Sequence, residues 1–193
     1  MRSYPRREKL ENGDVEFRLM GADDEAATLA FAKQLPVHDM LFLPRNIGEP
    51  KVLSAWIKEI ERGSIVSLLV LRDDAVVGCG AIVRDPFSWS AHVGEIRTVI
   101  SPNVRGTGIG RALSGEVFDL ALSMGLERLT VQMTSDQTSA IAIFERFGFR
   151  TEALLRDQVK DVQGKTHDII VLGLNTLEVR AKLEPNGASD EVE

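Results

Sequence analysis

The chain has 193 residues, 44% of them apolar and 27% charged, with a net charge of −6 and a pI near 5.2. That length suits one domain able to bury a sizeable core, and the acidic balance disfavours non-specific binding to nucleic acid or to an anionic membrane. No apolar run approaches the ~18 residues of a membrane span, no apolar stretch follows the N-terminal charges as in a signal peptide, and the single cysteine, Cys79, excludes an internal disulfide or a Cys-based zinc site. The composition therefore reads as a cytoplasmic protein.

Residues 1–14 are polar and basic and are expected to form a flexible N-terminal arm. Glu16–Met20 reads as a short first strand. Asp23 or Asp24 then caps a helix that must stop before Pro36. The stretch Val37–Asn46 is apolar, interrupted by Pro44 and without a clean period, which suits either a substrate-side loop or a plug at the edge of the core. His38 lies in it; His92 and His167 are far away in sequence, with no metal-ligand spacing among the three. Val52, Leu53, Trp56, Ile57 and Ile60 form the stripe of a second helix, with Pro50 at its first turn and Gly63 closing it.

Ile65–Leu71 and Val76–Val83 read as an antiparallel pair joined by a turn at Arg72–Ala75. Gly78 and Gly80 inside the second strand suggest close approach by another backbone or a ligand. Cys79 between them suits a small buried residue better than a nucleophile. A loop with two aromatics, Phe87 and Trp89, leads to the next strand, Val93–Ile100.

After that strand comes Arg105-Gly106-Thr107-Gly108-Ile109-Gly110-Arg111, and then a helix with apolar residues at Ile109, Leu113, Val117, Leu120 and Met124. Glycines between a strand and the first helical turn leave backbone N–H groups unobstructed at the positive end of the helix dipole, which makes a phosphate seat. A dinucleotide fingerprint fails here because its third glycine would fall on Arg111, and no P-loop Gly-Lys-Ser/Thr is present. Beyond Gly125, Leu129–Met133 is a strand, Thr134–Ser139 offers several caps, Ala140–Phe149 is a helix ending in Gly148-Phe149, and Thr151–Val159 and Asp168–Leu172 are the last strands. Residues 176–193 form an acidic tail expected to be disordered. Alternating strands and helices behind an antiparallel front predict an α/β fold.

The Arg105-x-x-Gly108-x-Gly110 hexapeptide resembles the pyrophosphate-binding signature of the GNAT (GCN5-related N-acetyltransferase) superfamily, and the helix ending in Gly148-Phe149 resembles a second block of that family. The resemblance implies a GNAT domain over residues 15–175, with a mixed, mostly antiparallel sheet of about seven strands and helices on both faces. It implies acetyl-CoA as cosubstrate, with pantetheine on the backbone of Thr98, Val99 and Ile100. The diphosphate would lie on Arg105, Gly106, Thr107, Gly108, Ile109, Gly110 and Arg111, with Gln137 and Phe144 alongside. Gln137 stands where the family often has Asn and keeps an amide able to bond pantetheine. Phe144 stands where many members have a tyrosine that protonates the leaving thiolate, and a phenyl ring has no proton to give. By analogy with relatives that pair through a sheet edge, a homodimer is expected.

Acetyl transfer to an amine needs a neutral nitrogen, and a lysine with pKa near 10.4 loses its proton at pH 7 at a cost of roughly 4.6 kcal/mol, against about 1.4 for an α-amine. Glu95, ten positions before Arg105, resembles the general base of bacterial protein-lysine acetyltransferases. It also suits a strand glutamate paired with Arg97 or Arg111, and Asp157 or Asp161 suits a cationic amine. Two functions stay open: an N-acetyltransferase acting on a protein lysine, a small amine or an amino acid, and a GNAT-fold module that binds acyl-CoA without turnover.

Overall fold

The structure, a computed structural model, describes residues 3–183. Its elements in chain order are β1 (Arg6–Leu10), β2 (Gly13–Leu19), α1 (Glu25–Ala32), α2 (Pro50–Glu61), β3 (Ile65–Arg72), β4 (Ala75–Val83), β5 (Val93–Ile100), α3 (Ile109–Ser123), β6 (Arg128–Thr134), α4 (Thr138–Arg146), β7 (Arg150–Lys160), β8 (Thr166–Asn175) and α5 (Thr176–Leu183). A one-turn 3-10 helix at Val37–Met40 lies between α1 and α2. The eight strands form one open sheet in the order β1-β2-β3-β4-β5-β6-β8-β7, and every neighbouring pair is antiparallel except β5 and β6. Among the described residues no helix is long and apolar enough to cross a membrane.

Strand side chains alternate between faces, so each face of the sheet carries its own core. On one face the stripe Ile109, Leu113 and Val117 of α3 packs with Ile96, Leu129, Val131 and Phe149. On the other, Phe31 of α1 and Leu53 and Ile57 of α2 pack with Leu69 and Cys79. Pro50 starts α2, and left-handed Gly63 and Gly125 follow α2 and α3, as their positions in the sequence predict.

Four expectations are corrected. The N-terminal arm is strand β1: a turn at Glu11-Asn12 sets Leu10 opposite Gly13, whose φ of +117° suits only glycine there, and Arg7 pairs with Glu16 at 3.0 Å. Its start is tied to α3, where the buried Glu116 carboxylate accepts from the Tyr4 hydroxyl at 3.1 Å and pairs with Arg6. Asp24 does not cap α1 with its side chain; it accepts from the Gly21 N–H at 2.9 Å and pairs with Arg18 at 2.6 Å. The tail begins as helix α5, held by the buried Thr176 hydroxyl donating to the Leu126 carbonyl, while residues 184–193 lie outside the described residues.

The fourth correction concerns Gly78 and Gly80. What approaches them is neither a ligand nor a backbone but side chains: a Cβ on Gly78 would sit 2.7 Å from Val70 and 3.2 Å from Leu113, and one on Gly80 would overlap Val117. The missing side chains let α3 lie close on β4, which brings its N-terminus to the end of β5. Gly80→Ala is therefore expected to destabilise the fold by about 1–3 kcal/mol through overpacking, measured as a fall in denaturant midpoint at unchanged m-value.

Candidate active site

The site forms where the only parallel pair of the sheet comes apart. β5 and β6 are in register from Val93 beside Arg128 to Ile96 beside Val131, and there the ladder stops, although β5 runs on to Ile100 and β6 to Thr134. Each strand stays fixed by its outer neighbour, β5 by β4 as far as Ile100 and β6 by β8 as far as Thr134. The result is a fork whose facing edges, Arg97–Ile100 and Gln132–Thr134, have no partner in each other.

The fork opens toward the loop 101–108. Gly106 and Gly108 have φ of +74° and +87°, conformations that disfavour other residues, and a Cβ added at either would enter open space. The first bond into α3 from outside it is Ala112 N–H to the Gly108 carbonyl, and the amides of Gly106, Gly108, Ile109 and Gly110 donate to no acceptor among the described residues. Free N–H groups at the start of a fifteen-residue helix have the geometry to seat an anion. Thr107 turns its hydroxyl back to the Val104 carbonyl at 2.7 Å, while the exposed Arg105 pairs with Asp39 of the 3-10 turn and Arg111 is exposed on the first turn of α3.

Face alternation places the other candidates. Ile96 belongs to the core beneath α3 and Val99 packs against the opposite core, so Glu95 and Arg97 share the α1–α2 face with Val99. On β6, Leu129, Val131 and Met133 point to α3, which puts Thr130, Gln132 and Thr134 on Glu95's face, with Glu95 beside Thr130 in the ladder. Glu95 is half-buried, and Arg97 holds both its oxygens: Nε donates at 2.7 Å and the second guanidinium nitrogen at 3.2 Å. Of the two sequence-stated partners, Arg97 is thus the one found. Thr98, Val99 and Ile100 border the fork, and half-buried Gln137 precedes α4 across it.

Phe144 departs from expectation. It is 3% exposed, edge-on to Phe147 and Phe149, and belongs to the core under α3. Cys79 is buried, and burial pushes its thiol up to about 12, which leaves it neutral and unreactive.

Two histidines far apart in sequence meet beside the open end of the fork. His38 Nε2 lies 3.0 Å from Asp136 and 3.5 Å from the Thr134 hydroxyl, and its ring stands 5.0 Å from that of His167, whose Nε2 lies 2.9 Å from Asp161. Burial opposes ionisation of Asp136, but bonds from Thr134 and His38 outweigh it, so its carboxyl lies below the usual carboxylate range; the His167 bond does the same for Asp161. Asp39 and His38 thereby tie the 3-10 turn to the loop that follows β5 and to the end of β6. No local sequence pattern signals this cluster.

The stretch 34–149 matches the acetyltransferase (GNAT) family model. The chain belongs to the GNAT acetyltransferase family. That family uses acetyl-CoA as cosubstrate, and the fork with its free amides fits a pantetheine arm and a diphosphate. Over 94 residues the chain is 33% identical to an "IAA acetyltransferase" of Azospirillum brasilense, a match covering 48% of this chain and 60% of that relative. The chain therefore spans less than two thirds of that curated relative's length. In fold it is similar to a GNAT-family acetyltransferase of Streptococcus pneumoniae (TM-score 0.71, 20% identity, covering 83% of this chain and 99% of that one). It is likewise similar to yncA of Salmonella typhimurium, solved with its cofactor acetyl-CoA (TM-score 0.72, 18% identity, 92% and 99% covered).

Two outcomes are expected. Gly108→Val should lower CoA affinity by about tenfold or more in calorimetry, because its side chain would enter the anion seat, with a backbone cost of about 1–2 kcal/mol in stability. The Cys79 thiol should resist alkylation at pH 8 in the native protein and react once denatured. Because folding raises its pKa, the stability it contributes is complete below about pH 8.5 and declines as the pH rises toward 12.

Proposed function

We propose that the chain is an acetyl-CoA-dependent N-acetyltransferase that passes the acetyl group directly to a primary amine, a protein lysine or a small amine or amino acid, in a ternary complex. The observation that carries this reading is the β5–β6 fork, which opens toward the free amides of Gly106, Gly108, Ile109 and Gly110 and has Glu95 at its closed end, where the ladder stops. The loop amides and the α3 dipole hold the diphosphate, and the unpaired edge of Thr98–Ile100 bonds the pantetheine amides. Arg105 exchanges Asp39 for, or shares it with, the phosphate. Gln137 offers an amide from the far arm.

Glu95 takes the proton from the acceptor ammonium, through water or directly, which requires Arg97 to release one carboxylate oxygen. The amine nitrogen then bonds to the thioester carbon, the C–S bond breaks, and the electron pair leaves on the CoA thiolate. With Phe144 in the core, water relays to that thiolate the second proton, which the nitrogen sheds as the amide forms. The domain boundaries of 15–175 are widened in this reading to include β1, whose anchor on Glu116 steadies α3. A reducing cytoplasm suits the lone thiol.

The engagement of both Glu95 oxygens by Arg97 favours a second reading, a module that binds acyl-CoA without turnover. Thiol release and product mass, followed with acetyl-CoA and a panel of amino acids, polyamines, aminoglycosides and lysine peptides, separate the two. Amine-dependent release with the mass gain of one acetyl group is expected, and CoA binding without release across the panel would favour the module. Glu95→Gln should lower kcat by about 100-fold or more with CoA affinity retained, whereas an unchanged rate across the pH range would remove Glu95 from the base role.

A further inference from the structure

We infer that the acceptor carries a carboxylate besides its amine, and that Arg45 and Lys160 recognise it at the mouth of the cleft between the loop 37–46 and the end of β7. This rests on the acetyltransferase reading above. The cleft has a volume of about 280 Å³, with apolar wall from Met40, Leu41 and Val159 and polar groups from Arg45, Asn46 and Lys160. Among the described residues no carboxylate lines it.

The neighbouring acids are already engaged: Asp39 by Arg105, Asp136 by His38 and Asp161 by His167. Arg45 and Lys160 have no ion-pair partner among the described residues, and both are exposed at the rim. Two uncompensated cations over an apolar wall, in a chain of net charge −6, suit an anion attached to an apolar body. The same pair repels polyamines and aminoglycosides.

The wall is held in place before any ligand arrives. The ties of His38 and Asp39 fix the 3-10 turn to the end of β6 and to the loop that follows β5, and Met40 and Leu43 anchor the loop in the α1–α2 core. Leu43 lines both this cleft and a small cavity against β5 that it shares with Arg97, Thr98 and Val99. The cleft therefore adjoins the strand that carries Glu95 and lies on the same face of the sheet. Its size is near the lower end for ligand sites, about 300 Å³, so a small amino acid fits it better than a folded protein surface. In that pose the carboxylate meets Arg45 and Lys160, the apolar body lies on Leu41 and Val159, and the amine points toward the fork.

Matched acceptors test this by thiol release: ε-aminocaproate against ε-aminocaproamide, and phenylalanine against phenylalaninamide, with spermidine as a cationic control. The carboxylates are expected to exceed their amides in kcat/KM by about tenfold or more, as charge-assisted bonding to two cations implies. In the R45Q/K160Q double variant that preference should fall to within about twofold of unity. Amides or spermidine serving as well as the carboxylates, or a preference that survives the double variant, would overturn the inference while leaving the acetyltransferase reading intact. Should no amine support release, that reading fails separately. Calorimetry of the same pairs with the CoA-saturated protein then decides: a carboxylate preference abolished in the double variant supports the inference, and equal binding of acid and amide overturns it.

Discussion

The separation of β5 from β6 is the constraint on which the rest of this molecule depends. Two adjacent parallel strands normally stay paired, because each unsatisfied backbone group in a buried sheet is costly. Here each strand is secured on its outer side, and only the inner edges part after Ile96 and Val131. The exposed edges are thereby available to a ligand that supplies amide groups of its own. The same divergence gives α3 room to begin at the end of β5, with Gly110 close beneath Ile100 so that the first helical turn lies against the strand. Gly78 and Gly80 serve the same end, since a helix held further from the sheet would carry its free N–H groups away from the fork.

Charge is distributed around this opening in fixed pairs. Arg97 neutralises Glu95 on the α1–α2 face of the sheet, and the 3-10 turn contributes one carboxylate to Arg105 and one imidazole to Asp136. The pairs of the 3-10 turn hold the end of β6 and the loop that follows β5 in position relative to it. They also leave the cations of Arg45 and Lys160 without local counter-charge. In the proposed reading, donor binding and acceptor selection draw on neighbouring residues of one short segment, Val37–Asn46, which serves both as core plug through Met40 and Leu43 and as wall of the cleft.

Much of this was legible in the sequence where local rules act alone. The Arg105–Gly110 loop was legible because glycines between a strand and an amphipathic helix leave the first N–H groups of the helix unobstructed, and α2 and the β3–β4 hairpin followed from Pro50, Gly63 and Asp73-Asp74. Strand β1 was missed because its charged residues outweighed the turn signal of Glu11-Asn12 before Gly13, and its anchor, Glu116, sits more than a hundred residues away. The glycines of β4 announced close approach but not by what. Phe144 aligns with a functional position by its distance from Gly148-Phe149, yet an aromatic without a hydroxyl is free to bury completely, and it does so. The meeting of His38 with His167 has no sequence signature at all, since it depends on how a loop between α1 and α2 crosses to the far side of the fork.

Amide hydrogen exchange with and without saturating CoA tests the central claim most directly. Selective protection of Thr98–Ile100 and of Gly106–Arg111, with β1–β3 unchanged, is the predicted result. Saturating CoA that leaves those amides unprotected, or protects a different surface, would contradict the fork as the donor site.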